Sequence, residues 1–140
     1  MKNLPFIRYR HAFLLLRAIV GLIFVTHGVK RIQVGTVGGF GGFLGEAGFP
    51  LPNALAWGIT ILEIAGGLAL VFGLLVAATG IWFIVHQMMG IILVHWKNGW
   101  FVVGPSEGGM EYSVLLIAAL IAIVSARVDK TQVSAPETSQ

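Results

Sequence analysis

NALAWGITILEIAGGLALVFGLLVAATGIWFIVHQMMGIILVHWK, residues 53–97, decides the fold. The stretch is almost wholly apolar and carries one acid, Glu63; between Ile64 and Trp96 there is no Asp, Glu, Lys or Arg. A helix needs about 20 apolar residues to cross a bilayer. The stretch is too long for one crossing and suits two. Gly73, Thr79 and Gly80 are the only break signals near its middle. It therefore reads as a transmembrane hairpin, 54–75 going one way and 77–96 coming back, with a tight turn near Leu75 and Val76. Residues equidistant from that turn lie at equal depth, which sets Glu63 level with His86 and Gln87. An acid and an imidazole at one depth in hydrocarbon form the first candidate functional pair.

Composition agrees with the membrane reading. The chain has 140 residues, enough for one domain. It is 56% hydrophobic and 11% charged, against about 25% charged in soluble domains. A soluble protein of this composition would lack the polar residues to cover its surface. The net charge of +3 is small, and no basic run is dense enough for nucleic acid. There are no cysteines. Disulfides, thiol catalysis and thiolate metal sites within this chain are excluded, as are mechanisms that hand electrons to quinones through a cysteine pair. Any thiol chemistry needs a partner's sulfur.

The first span is expected at 11–28. Lys2, Arg8 and Arg10 precede it, and Arg17 lies in its first two turns, close enough to snorkel back to the near interface. A signal peptide is the rival interpretation of this end. Arg17 interrupts the apolar run and no small-residue cleavage site follows, which argues against it. His27 shares a helix face with Lys30 and with Arg31 by i,i+3 and i,i+4 spacing. Residues 35–52 form the longest non-spanning segment, with Phe40, Phe43 and Phe49 set among glycines. The glycines never fall into the G-x-G-x-x-G register, so a nucleotide loop is disfavoured. An interfacial or re-entrant segment is expected, with room for a short amphipathic helix around 40–47. Pro50, Pro52 and Asn53 then open the second span. Gly66 and Gly73 lie near one of its faces and would let a neighbouring helix approach. A polar loop at 97–110 follows the third span, with Trp96 and Trp100 as interface anchors. The fourth span is expected at 111–127, and 129–140 is a polar tail expected to be disordered and cytoplasmic.

Four spans put both termini on one side. That side holds Lys2, Arg8, Arg10, Arg17, Arg127 and Lys130, and the other holds Lys30, Arg31 and Lys97. The excess puts both termini, including segment 1–10, in the cytoplasm. Both long loops then face outward. The fold expected is an all-α, antiparallel four-helix bundle spanning the inner (plasma) membrane several times. His27 and Lys30, His95 and Asn98, and Glu111 and Tyr112 are expected to meet at one outward mouth, with Glu63 and His86 below it.

The chain resembles the DoxX family of small bacterial membrane proteins over about residues 11–128. The matching residues are His27-Gly28-x-Lys30, then Gly38-Gly39-Phe40 to Gly48-Phe49-Pro50. Next come Glu63-x-x-Gly66-Gly67 with Gly73, then His95 with Asn98-Gly99-x-Phe101, and last Gly108-Gly109-x-Glu111-Tyr112. Family members often read Gly-Gly-Tyr-Glu-Tyr at the last motif, where this chain has Met110. The resemblance implies a four-helix membrane protein tied to membrane redox chemistry, with quinone as acceptor in one branch and thiol-handling complexes in others. It implies protein partners in a redox complex, and allows a homo-oligomer or a scaffold without activity of its own.

Each candidate has a plainer alternative. Glu63 could relay protons or bond a quinone oxygen; otherwise it is a protonated acid bonding a neighbouring helix. His86 could partner Glu63 or a ligand; otherwise it is a packed histidine, the commoner outcome. His27, His95 and Glu111 could hold zinc, non-haem iron or haem, but no H-x-x-x-H or E-x-x-H spacing supports a metal. A hydrated mouth with Glu111 paired to Lys30, Arg31 or Lys97 is the stronger expectation. No redox cofactor motif is evident, and a small transporter is the third functional class.

Overall fold

A computed structural model describes residues 8–133 of the chain, with side chains described through residue 127. Lys2 and the side chain of Lys130, which entered the charge count, lie outside the described residues. So do segment 1–7 and residues 134–140 of the expected tail. Every regular element described is helical. In order they are α1 (Tyr9–Gln33), α2 (Val37–Glu46), α3 (Pro52–Phe72), α4 (Val76–Leu93), a 3-10 helix (His95–Asn98) and α5 (Glu111–Val133). Among the described residues, α1, α3 and α4 are long and apolar enough to cross a membrane. Their exposed side chains include Leu15, Leu22, Ile61, Leu62, Ile81 and Ile92. Such apolar belts suit lipid rather than water.

Helix ends depart from the expected limits for local reasons. α1 does not stop at 28 but runs to Gln33, so His27, Lys30 and Arg31 belong to the helix itself. It ends where Gly35 takes a φ of 68°. There Gly35 N–H donates to the Ile32 carbonyl and Thr36 N–H to the Arg31 carbonyl. This pattern of a left-handed residue closing the last turn is open to glycine at little steric cost. The same pair of bonds ends α3 at Gly73, φ 78°, with Gly73 N–H on Leu70 and Leu74 N–H on Ala69. The second span is thus three residues shorter than expected at its far end, and the break is set by Gly73 rather than by Leu75–Val76. Pro52 begins α3 at its first turn, where the missing N–H costs nothing.

The chain forms two compact units, Met1–Leu74 and Leu75–Gln140. In the first, α1 lies against α3. A Cβ on Gly21 would sit 2.6 Å from the Gly67 carbonyl oxygen, and one on Gly67 would sit 2.6 Å from that of Gly21. Further along, Gly28 faces Thr60 and Glu63, while Arg17 reaches Val71. Contact positions rise on α1 as they fall on α3, so the two helices run in opposite directions. The close approach uses Gly67, one residue on from the Gly66 expected; Gly73 serves as a helix end instead. α2 packs on the start of α3, with Val37, Leu44 and Ala56 buried and Phe40, Phe43, Phe49 and Ile59 around them. That confirms a short helix within the glycine-rich segment.

In the second unit α4 packs on α5. A Cβ on Gly80 would collide with the Val124 side chain. Val76, Phe83, Leu116, Leu120 and Ile123 are buried. α5 continues past 127, so the expected tail begins inside a helix.

Candidate functional site

In the first unit the polar residues gather where α1 ends beside the middle of α3. Glu63 is 2% exposed. Its carboxylate is held by Arg31 through two bonds, Nη1 to Oε2 at 2.5 Å and Nη2 to Oε1 at 3.2 Å. Two parallel N–H bonds to one carboxylate are the strong form of this pairing. Arg31 Nη1 also donates to Thr60 Oγ1 at 3.0 Å, and that hydroxyl donates onward to the Ala56 carbonyl at 2.7 Å. The Phe40 ring of α2 covers the guanidinium, 4.5 Å from Cζ to centroid. One arginine thus ties all three helices of the unit together. Gly28 makes room for it: a Cβ there would lie 2.7 Å from Ile64 Cγ1 and 2.9 Å from the Thr60 carbonyl oxygen. The Gly28 and Glu63 motifs therefore have one physical cause.

In the sequence Arg31 stood as a topology charge, as a neighbour of His27 on one helix face and as one of three partners for Glu111, never as a partner of Glu63. The structure commits it to Glu63. The available signal was its i,i+3 offset from Gly28, which puts both on the α1 face that meets α3. His27 and Lys30 are exposed. They line an open hollow with Arg31, Gln33, Val25 and Val29, of about 770 Å³.

Arg17 lies over the C-terminal end of α3. Its Nη2 donates to the Val71 carbonyl at 3.5 Å. A cation there meets the negative end of the helix dipole.

In the second unit, His95, Asn98 and Glu111 do come together, and they are spent on the loop backbone. Gly108 supplies one carbonyl to both His95 Nδ1 (2.7 Å) and Asn98 Nδ2 (3.3 Å). A carbonyl only accepts, so His95 Nδ1 carries the hydrogen. Glu111 Oε1 accepts the Val102 N–H at 2.9 Å. Backbone bonds close the same loop, from Gly108 to Val102, Gly109 to Phe101 and Met110 to Gly99. A Cβ on Gly109 would lie 2.5 Å from the Trp100 carbonyl. These residues lock the loop, which is a structural task. Tyr112 follows directly and is 41% exposed. His86 is half-buried on α4 and stacks on Trp82, with ring centroids 5.2 Å apart and planes 9° apart. Among the described residues, no three His, Asp or Glu side chains gather to hold a metal ion.

Comparison with known proteins agrees with the motifs. A family model described as DoxX matches residues 12–96. The chain is 34% identical over 110 residues to "Putative oxidoreductase CatD" of Bacillus subtilis (strain 168), covering 77% of this chain and 73% of that protein. No solved structure matches. A match across three helices with membrane-spanning character, joined to a relative of this similarity, means that the chain belongs to the DoxX family.

Proposed function

We propose that the chain is a small subunit of a membrane redox complex that interacts with quinone or quinol in the inner (plasma) membrane. In this reading α5 is the fourth span of an antiparallel bundle, and both termini are cytoplasmic. One observation carries it. Glu63, in a helix of spanning length, is buried and held as an ion pair with Arg31. Ionisable groups inside a membrane are costly and mark proton or ligand pathways. The name of the Bacillus subtilis relative, an oxidoreductase, points the same way.

Quinone fits the residue chemistry of α4. Its ring needs a flat neighbour and its oxygens need donors; the stacked Trp82 and His86 offer both. A bound quinone would supply the electron-accepting ring. The chain's part is to bind and orient it and to handle protons at Glu63 and His86. Electrons then come from a protein partner. His27, Lys30, His95, Asn98, Glu111 and Tyr112 are proposed to border the outer face.

The test is titration of purified protein with a short-chain quinone analogue and its quinol, followed by tryptophan fluorescence. Wild type is expected to bind, and Glu63→Gln to bind the quinol, whose hydroxyl donates to the carboxylate, about tenfold more weakly, the scale of one charge-assisted hydrogen bond. No binding by wild type, with Glu63→Gln indistinguishable in cells, sinks the reading.

The second reading is a scaffold. It is favoured by the locked loop, on which Trp96, Trp100, Phe101 and Val103 are exposed. It predicts that function fails on Trp100→Ala or Val103→Asp and survives Glu63→Gln.

A further inference from the structure

A guanidinium carries five N–H donors. In Arg31, both Nη1 hydrogens are used, one by Glu63 and one by Thr60, and Nη2 uses one on Glu63. The second Nη2 hydrogen and the Nε hydrogen have no partner among the described residues. In a planar guanidinium these two point the same way from one edge, a fork that suits two oxygens of one oxyanion. Phe40 on the face and Glu63 on the adjoining edge fix the plane, so the fork does not need to be ordered on binding.

Arg31 lines the hollow and Glu63 does not. Arg31 is 18% exposed at its side chain, against 2% for Glu63. Lys30 and His27 line the same hollow, and none of its lining residues is acidic. Glu63 offsets the charge of Arg31, so the fork supplies direction and Lys30 supplies the net positive charge. The carbonyls of Lys30, Arg31 and Ile32 are engaged by Val34, Thr36 and Gly35, which mutes the negative end of α1. A volume of about 770 Å³ falls within the ~300–1,000 Å³ of small-molecule sites.

The lining selects the source of the oxyanion. α1 is long and apolar enough to cross a membrane, so a hollow on its surface is within reach of lipid. Val25, Val29 and Val34 put apolar wall beside the cationic Lys30 and Arg31, with the polar Thr26 and His27 interleaved. An acyl chain and a phosphate suit such a lining together. We propose that this hollow binds the phosphodiester of an acidic phospholipid, held by the Arg31 fork and Lys30 with its chains along Val25 and Val29. The site goes beyond the redox reading and stands without it.

The experiment is native mass spectrometry of the protein released from vesicles of equal phosphatidylglycerol and phosphatidylcholine. Wild type is expected to retain phosphatidylglycerol in preference to phosphatidylcholine. Lys30→Gln and Arg31→Lys are expected to lower that retention about tenfold each, the scale of a hydrogen bond to a charged group. If Arg31→Lys fails to fold, Lys30→Gln carries the test, because the Lys30 side chain is exposed and has no structural partner among the described residues. Lys97→Gln, on the other unit, is expected to leave retention unchanged. Equal retention of the two lipids, equal loss in Lys97→Gln, or no loss in Lys30→Gln overturns the proposal. Full displacement of the lipid by millimolar inorganic phosphate also overturns it, in favour of a free oxyanion. Quinone-analogue binding to the same samples is read separately, so failure of either idea leaves the other standing.

Discussion

Arg31 and Glu63 show how a membrane helix tolerates charge. A lone ionised carboxylate in a low-dielectric setting is expensive. Two bonds from one guanidinium, with Thr60 and Phe40 completing the surroundings, make the pair tolerable. Removing one member is therefore worse than removing both. Arg31→Ala should destabilise the protein by about 3–5 kcal/mol, because the buried Glu63 carboxylate loses the guanidinium that offsets its charge. The double variant Arg31→Leu with Glu63→Leu should recover most of that. Thermal unfolding of the single and double variants in one detergent checks it; strictly additive losses would rule out coupling. The same measurement separates stability from ligand binding, since Glu63→Gln keeps an acceptor for Arg31 and should cost less than Arg31→Ala.

At the scale of the helix, glycine does two opposite things in this chain. Gly21 and Gly67 are where α1 and α3 meet backbone to backbone. Adding a methyl group there must push the helices apart, since the obstacle is a carbonyl rather than a movable side chain. Gly21→Ala or Gly67→Ala should cost about 1–3 kcal/mol, the usual scale of overpacking. On α2 the sign reverses. Nothing lies within 4 Å of a Cβ built on Gly38 or Gly42. Alanine there removes only the entropy penalty of glycine in a helix, so Gly38→Ala and Gly42→Ala should each stabilise by about 0.5–1 kcal/mol. Four melting curves settle the matter, and a loss at Gly42→Ala equal to that at Gly67→Ala would mean that α2 carries a close neighbour on its glycine face.

For the whole molecule the question is which face of the membrane each loop sees. The cysteine-free sequence makes it direct to ask. Glu107→Cys, in the loop before α5, should react from outside intact cells with a membrane-impermeant maleimide. Ser139→Cys should react only after permeabilisation, as four spans with both termini cytoplasmic require. Labelling of both from outside would mean that α5 does not cross. The loop carrying Glu107 is well suited to the assay, because the bonds from His95, Asn98 and Glu111 hold its backbone without using Glu107.

The helical, membrane-embedded character of the chain was legible from composition and from the uncharged run 64–96, because hydrocarbon demands long apolar helices whatever their neighbours. The short helix in the glycine-rich segment was legible only in outline: phenylalanines set among glycines marked an apolar interfacial segment, and the helix there begins three residues earlier than the 40–47 considered. Glu63 stood out because it is the lone acid in an apolar stretch. What stood next to it did not, since an ion pair across 32 positions depends on the relative rotation and height of α1 and α3. Those are set by Gly21, Gly28 and Gly67, whose missing side chains let the helices close. His95, Asn98 and Glu111 likewise read as ligand groups in sequence, and the fold turned them toward the Gly108 carbonyl and the Val102 amide. Residue type and spacing thus determined where the chain could live and which side chains had chemistry to offer. Only the tertiary structure decided which of those side chains bind one another, because a hydrogen bond needs its partners within about 3 Å and sequence distance does not measure that.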